Sequence, residues 1–220
     1  MRYVLGLVAT IFVSLSATAG AQLACAPNGR PINPAYERES AAERPREAQR
    51  IKANEQLVSR RSDRLRLVLD GGKSIELADC PYGDYGHHYL YQLYDQAGRF
   101  YVVRKLSADD LSYLLVMMPT GRQFPVWGAP VWTSEKSKFL TIGCSLEPSR
   151  GSVVIHAPAD EGLTTEAEFP LPCDAESCSA RWDHQSWISV TCTPRGAGDK
   201  KGTEFVLMRG NNGAWNKFGR

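Results

Sequence analysis

The chain beyond residue 62 consists of short hydrophobic segments separated by turn signals, and this pattern constrains the fold most strongly. In the first instance, apolar residues flank the turn signal Asp70-Gly71-Gly72: Leu65, Leu67 and Leu69 precede it, and Ile75 and Leu77 follow it. Alternation with a period of two places the apolar side chains on one face of a strand. The segment therefore predicts a β-hairpin.

The same pattern recurs along the chain. Three further hairpins are predicted, pairing residues 89–94 with 100–106, 114–118 with 123–127, and 205–208 with 215–218. A single helical turn is predicted at 107–110, and no later segment requires a long helix. The predicted fold class is all-β, with residues 63–220 forming one disulfide-bonded β domain.

Three segments inside this domain resemble one another. Residues 93–103, 131–142 and 181–190 each contain an aromatic residue, a polar turn, a second aromatic residue and a β-branched strand. The leading aromatics are Tyr94, Trp132 and Trp182, at spacings typical of propeller blades. Large flat side chains fill the space between neighbouring sheets. We therefore expect Trp132, Phe139, Trp182 and Trp187 to be core residues rather than a carbohydrate platform.

The second of these segments carries a resemblance to a known family. Its residues 128–139, Gly-Ala-Pro-Val-Trp-Thr-Ser-Glu-Lys-Ser-Lys-Phe, resemble the conserved turn of TolB-type β-propeller repeats, although Glu135 replaces a proline and Lys136-Ser137 replaces Asp-Gly. The resemblance covers about residues 89–218 and implies a small or incomplete β-propeller-like array of antiparallel hairpins, preceded by one N-terminal helix. Only three units are counted, whereas closed propellers have four or more blades. A curved sandwich of meanders fits the same pattern.

The first 21 residues have the three parts of a secretory signal peptide. Arg2 supplies a positive charge, residues 4–15 form a short apolar run, and Ala19-Gly20-Ala21 is a small-residue cleavage site before Gln22. Acylation of Cys25 is a weaker alternative, because Gln22 stands where a lipoprotein signal has an apolar residue. No later segment is long and apolar enough to cross a membrane. The predicted location is periplasmic or secreted.

Residues 22–62 are predicted to form a Pro-rich linker followed by a basic helix at 44–61, with Ser40 as a capping residue and Pro45 in the first turn. Residues 30–66 carry a net charge of +4, and residues 67–220 carry −3. The helix could therefore lie on the acidic body or contact an anionic surface such as lipid headgroups. A solvated helix face is the preferred interpretation.

Six cysteines follow the cleavage site: Cys25, Cys80, Cys144, Cys173, Cys178 and Cys192. An even number in an exported chain favours disulfides, and six cysteines allow 15 pairings. Cys173 with Cys178 is the favoured pair, because the short loop between them can close on itself. Zinc binding is the alternative, but the spacings of zinc sites are absent.

The sequence contains no catalytic, phosphate-binding or dinucleotide-binding motif, and no cofactor is predicted. The most unusual segment is the loop at 79–89, with two glycines, a proline and a cysteine. Its candidate partner-binding residues are Tyr82, Asp84, Tyr85, His87 and His88, because tyrosines in such loops give large contact area at low entropic cost. A connecting loop whose tyrosines pack on the body is the simpler interpretation. A metal site at Asp84 and His87 is a weaker one.

These features predict an exported binding protein without catalysis, whose partner is another protein rather than a nucleic acid. By analogy with small exported inhibitors, it could block a cell-wall-degrading toxin as an inhibitor or immunity protein. One alternative is an envelope hydrolase or carbohydrate-binding domain that uses exposed Trp127 or Trp215. Another is a structural subunit of an envelope complex that docks through the helix at 44–61.

Overall fold

The computed structural model of the chain describes residues 34–80, 87–94, 99–107, 111–144, 151–160, 162–172, 175–196 and 202–219. The predicted signal peptide and Cys25 lie outside these residues, as do residues 22–33 of the predicted linker. The described residues form one helix and fifteen strands in four antiparallel sheets. The prediction of an all-β fold with one N-terminal helix is confirmed. No helix in the described part of the chain is long and apolar enough to span a membrane.

The sheets follow one another along the chain, and each is an antiparallel meander. The helix α1 spans Pro34–Ala53, and the first sheet contains β1 (Val58–Arg61), β2 (Arg64–Val68) and β3 (Ser74–Ala78). The second sheet contains β4 (His87–Tyr94), β5 (Phe100–Ser107), β6 (Leu111–Met117) and β7 (Gln123–Trp127). The third sheet contains β8 (Val131–Trp132), β9 (Phe139–Gly143), β10 (Ser152–Ala159) and β11 (Gly162–Pro170). The fourth sheet contains β12 (Ala175–His184), β13 (Trp187–Pro194), β14 (Thr203–Arg209) and β15 (Trp215–Gly219).

All four predicted hairpins are confirmed, as β2–β3, β4–β5, β6–β7 and β14–β15. The hairpin β10–β11 was not predicted, because its strands lack a clean apolar alternation. Residues 108–110 of the predicted helical turn lie outside the described residues. Ser107 and Leu111 on either side of them belong to strands.

The three repeated segments occupy the same place in successive sheets. In the second, third and fourth sheets, each segment runs from the end of the first strand into the second strand. The second aromatic, Phe100, Phe139 or Trp187, is the first residue of that second strand each time. Phe100 and Phe139 are fully buried, whereas Trp187 is 37% exposed. The prediction of a core position is therefore wrong for Trp187, whose sheet is the last in the stack.

Three buried clusters join the sheets in series. The first lies between the first and second sheets and contains Leu65, Leu77, Tyr91 and Tyr101. The next joins the second and third sheets, where Phe100, Met117 and Phe139 meet the half-buried Trp132. The last joins the third and fourth sheets through Leu140, Ile155, Ile188 and Phe205, with Trp182 packed against them. Each inner sheet thus has both faces covered, which removes its apolar side chains from water.

The turn between the second and third sheets requires a glycine. Gly128 has a φ of 76°, and a Cβ at this position would lie 2.1 Å from the carbonyl oxygen of Ile142. Only glycine adopts this backbone conformation without strain and allows the two chains to approach so closely. Gly128 therefore allows the β7–β8 turn to contact β9.

The helix differs from its prediction at both ends. It begins at Pro34, where a proline loses no helical hydrogen bond, and Pro45 lies inside it rather than in its first turn. It ends at Ala53, and the Asn54 side chain donates a 2.9 Å hydrogen bond to the carbonyl of Arg50. Residues 58–61 form β1 because Val58 is buried in the first cluster. Tertiary packing overrides the helix propensity of this segment.

The helix lies against the β body, mainly on β4, while most of its other residues, such as Arg38, Arg46 and Lys52, are exposed. The basic segment thus has one face on the body and one solvated face. Among the helix residues whose side chains are described, Ile51 makes the large apolar contact with the first cluster. Most of the attachment is polar, because Ser40 and Glu47 are buried and Glu39 pairs with Arg104 of β5.

A disulfide joins the third sheet to the fourth. Cys144 follows β9 and is bonded to Cys178 of β12, with the Cα atoms 5.8 Å apart. The predicted pair Cys173–Cys178 is therefore wrong, since sheet stacking brings Cys178 to a cysteine that is distant in sequence. Cys80 and Cys192 are also disulfide-bonded. We call the end of the stack of sheets at which Cys80, Cys144, Cys178 and Cys192 lie the disulfide edge.

Removal of the Cys144–Cys178 disulfide should destabilise the protein. The bond closes a loop with a sequence separation of 34. Closing a loop of this length lowers the conformational entropy of the unfolded chain, which stabilises the folded protein by about 3–4 kcal/mol. We expect the double variant Cys144→Ser, Cys178→Ser to lose most of this free energy of unfolding in urea denaturation. An unchanged urea midpoint would show that the bond does not hold the two sheets together.

Candidate functional site

The loop singled out by the sequence is closed at its base by backbone hydrogen bonds. The amide of Cys80 donates to the carbonyl of His87 at 2.8 Å, and the amide of His87 donates to the carbonyl of Cys80 at 2.6 Å. Residues 81–86, including Tyr82, Asp84 and Tyr85, lie outside the described residues. The two ends of the loop are therefore fixed side by side at the disulfide edge.

Beneath this base lies a group of charged side chains that we call the ion cluster: Arg44, Glu47, Arg60, Asp79 and His88. Glu47 of α1 is its most buried member, with a side chain 1% exposed. Glu47 accepts hydrogen bonds from Arg44 at 2.8 Å, from Arg60 at 2.9 Å and from the backbone amide of Tyr91 at 2.7 Å. The carboxylate thereby connects α1 to β1 and to β4.

Asp79 is the second buried carboxylate and directly precedes Cys80. It is contacted by both guanidinium groups, with the Arg60 Nη1 atom at 3.3 Å. Its other oxygen accepts a 2.8 Å hydrogen bond from the backbone amide of Tyr89. Arg60 also donates to the carbonyl of Tyr89. Asp79 thus holds both strands that lead into the loop, one through its own backbone and the other through Tyr89.

His88 lies between two carboxylates. Its Nδ1 atom is 3.5 Å from Asp79, and its Nε2 atom is 3.2 Å from Glu37 at the start of α1. The imidazole is buried, whereas the Glu37 side chain is about half exposed. A protonated His88 therefore forms an electrostatic bridge from the loop base to the first turn of the helix.

The pKa values of the cluster follow from these contacts. Asp79, opposed by the cost of burial, raises the pKa of His88, and Glu37 adds to the increase. Burial raises the pKa of Asp79, but its contacts with His88, the Tyr89 amide, Arg60 and Arg44 outweigh burial and lower it overall. Both groups are thus stabilised in their charged forms.

The ion cluster anchors the helix and the base of the loop to the body. The oxygens of Glu47 and Asp79 accept hydrogen bonds from arginine and backbone donors. Among the described residues, no group of three or more His, Cys, Asp or Glu side chains is placed to hold a metal ion.

The predicted site residues that are described occupy different environments. His87 is half-buried, and its ring contacts Tyr89 edge-on with the ring centroids 4.8 Å apart. His88 is only 7% exposed and has little surface to offer a partner. Arg44, Glu47, Arg60 and Asp79 are not among the site residues predicted from the sequence. The only signals were the spacing of Arg44 and Glu47 and the position of Asp79 beside Cys80.

Exposed aromatic residues lie elsewhere. Trp127, at the end of β7 and therefore at the disulfide edge, is 53% exposed, as its proposed role in sugar binding requires. Trp215 is half-buried instead, because it packs against Trp182 and donates a 3.1 Å hydrogen bond to Glu166. Trp215 is therefore unsuited to stacking on a sugar ring.

The fold and the site define an all-β protein of four successive antiparallel sheets with an ionic anchor beneath one loop. No protein-family model matches the chain, and no curated protein or solved structure was found to be similar to it. The resemblance to TolB-type repeats stays a prediction.

Glu47→Gln should destabilise the protein strongly. The substitution removes one of the two buried carboxylates that pair with Arg44 and Arg60, and breaking a buried ion pair costs about 3–5 kcal/mol. The matched control is Glu43→Gln, one turn earlier in α1, where the partner Arg46 is exposed. Losing an exposed pair costs less than about 1 kcal/mol. Urea denaturation of both variants measures the difference, and equal losses would contradict the anchor.

The contribution of His88 to the free energy of unfolding should depend on pH. Because its pKa is raised in the folded protein, its stabilising effect is complete below the unfolded value of about 6.5 and is lost as the pH rises through the folded pKa. We expect the free energy of unfolding of the wild type, relative to His88→Asn, to be largest in weak acid and to fall above neutrality. In Glu37→Gln this pH dependence should be smaller. A difference independent of pH would contradict the bridge.

Proposed function

We propose that this protein is an exported binding protein without catalysis, and that its recognition surface is the loop between Cys80 and His87. The observation that carries the proposal is the ion cluster directly beneath that loop. Two buried carboxylates and two arginines hold the residues on both sides of it. A loop with fixed ends loses less conformational entropy on binding than a free one, which favours affinity.

The burial of His88 and Tyr89 narrows the recognition surface. Both side chains are less than one tenth exposed, and His88 belongs to the ion cluster while Tyr89 contacts it through its backbone amide and carbonyl. Contact with a partner is therefore assigned to Tyr82, Asp84, Tyr85 and the half-buried His87. Tyrosine side chains suit such a surface because they supply large contact area with few rotatable bonds.

Export is supported by the sequence of residues 1–21 and by the disulfide between the third and fourth sheets. Disulfides persist in oxidising compartments such as the periplasm. Within such a compartment, we propose that the partner is a protein, and that the chain acts as an inhibitor or immunity protein against an enzyme that degrades the cell wall. The loop would then occupy the cleft of that enzyme.

Carbohydrate binding is the second candidate, and the exposure of Trp127 favours it. An indole ring that is 53% exposed at the disulfide edge can stack on a sugar ring. Docking through the basic helix predicted at 44–61 has less support, because Arg44 of α1 and Arg60 of β1 are paired with buried carboxylates of the body.

Two variants distinguish these functions, and each serves as the control for the other. We expect Tyr85→Ala to abolish recovery of a protein partner from an envelope extract, since tyrosines at interface centres contribute about 2 kcal/mol or more. Trp127→Ala should leave that recovery unchanged.

The same two proteins are then tested on an array of glycans and peptidoglycan fragments. Glycan binding that is lost only in Trp127→Ala would replace the proposed function by the second candidate. Partner recovery that is insensitive to Tyr85→Ala would refute the loop assignment. A captured partner whose peptidoglycan hydrolysis is slowed by the wild type, and not by Tyr85→Ala, would support the inhibitor function.

A further inference from the structure

Two described cysteines form disulfides with partners other than Cys144 and Cys178. Cys80 and Cys192 are disulfide-bonded, and none of the described cysteines is free. Cys144 and Cys178 are bonded to each other. Cys80 and Cys192 therefore bond either to each other or to the two remaining cysteines of the chain, Cys25 and Cys173, which lie outside the described residues.

Cys80 and Cys192 are too far apart to bond to each other. Cys80 lies at the junction of the first and second sheets, where its backbone pairs with His87 of β4, and Cys192 belongs to β13 of the fourth sheet. The third sheet lies between them, packed on the second sheet through Phe139 and on the fourth through Leu140. Sheets packed face to face are about 10 Å apart, so these two layers separate the cysteines by about 20 Å. A disulfide requires Cα atoms less than about 7 Å apart.

Cys192 lies close to the place where the chain enters the fourth sheet. It is fully buried and lies opposite Cys178 in the register of β12 and β13, so both side chains face the third sheet, to which Cys178 is bonded. Ala175 begins β12 at this same end of the sheet, and two peptide units separate it from Cys173, a span of at most about 7.6 Å. Cys173 is therefore within reach of Cys192 and out of reach of Cys80.

The start of α1 lies beside Cys80. Glu37, in the first turn of the helix, is 3.2 Å from the Nε2 atom of His88, which directly follows the backbone partner of Cys80. Cys25 precedes Pro34, the first residue of the helix, by nine positions. A segment of this length spans up to about 30 Å. Cys25 is therefore within reach of Cys80.

We propose that Cys25 is bonded to Cys80 and Cys173 to Cys192, so that the sulfur of Cys25 closes a disulfide and carries no lipid. Each bond forms when two thiols give two electrons and two protons to a disulfide oxidant, such as a protein oxidoreductase of the oxidising compartment, which is reduced to its dithiol. A lipid anchor on a cysteine is a thioether of the same sulfur, so the two modifications exclude each other.

This pairing has two consequences for the exported protein. It has no lipid anchor at Cys25, and the N-terminal segment that precedes α1 is joined covalently to the base of the loop at 81–86. The bond adds to the constraints on that base from the backbone pairing of Cys80 with His87 and from the ion cluster. The pairing itself does not depend on the proposed recognition function.

Peptide mapping of the exported wild type without reduction tests the pairing, with any free thiol alkylated so that the bonds do not exchange. Cleavage after Glu176 and Arg181 separates Cys173, Cys178 and Cys192 into different peptides. We expect one linked pair of peptides with Cys25 and Cys80 and another with Cys173 and Cys192. Linkage of Cys25 to Cys192 or of Cys80 to Cys173 would overturn the proposal.

Single substitutions and the intact mass give an independent test. Cys25→Ser should leave one free thiol, located at Cys80 by alkylation in denaturant, whereas the matched control Cys173→Ser should leave the thiol of Cys192. A free thiol at Cys192 in Cys25→Ser would contradict the pairing. We expect the mature wild type to gain six hydrogens on reduction, two for each disulfide among its six cysteines, and to carry no acyl group. A mature chain that begins at Cys25 and carries a lipid would refute the proposal.

Discussion

A β-sheet has two faces, and the apolar faces of the sheets in this protein are removed from water by the sheets that precede or follow them in the chain. The second and third sheets are covered on both sides, with Phe100 and Phe139 buried between them and Leu140 and Ile188 buried beyond. This constraint explains why the stack has chemically different ends. The first sheet ends the stack with Arg64, Arg66 and Glu76, whereas the outer face of the fourth sheet exposes Trp187, Met208 and Phe218 beside Arg181 and Glu204.

The ion cluster attaches the helix α1 to the body, because the helix has few apolar residues that could attach it by packing. Burying Glu47 and Asp79 is unfavourable unless each carboxylate is paired and hydrogen-bonded, and Arg44 and Arg60 meet both requirements. The same contacts fix the strands on either side of the loop at 81–86. Attachment of the helix and preorganisation of the proposed recognition loop therefore depend on one set of charges.

Much of the fold could be predicted from local pattern. The alternation around Asp70-Gly71-Gly72 depends only on neighbouring residues, and the hairpin β2–β3 forms where it indicates. The end of the helix could not be predicted from local pattern. Residues 58–61 continue the composition of the helix, but they pair with β2 because Val58 is buried. The ion cluster could not be foreseen, since Glu47, Arg60 and Asp79 are brought together from three elements. Tyr82 and Tyr85 were recognisable as loop residues by composition, whereas the burial of His88 was not.

The sequence by itself determined the all-β class, the four hairpins and the equivalent repeats, because these follow from the period of apolar residues and from turn chemistry. The tertiary structure decided the rest. Stacking brought Cys178 to Cys144 rather than to Cys173, and it left Trp187 exposed where its counterpart Phe100 is buried. It also paired Arg44 of α1 and Arg60 of β1 with the buried carboxylates of Asp79 and Glu47. The physical reason is that strand formation is local, whereas burial depends on which distant element covers each face.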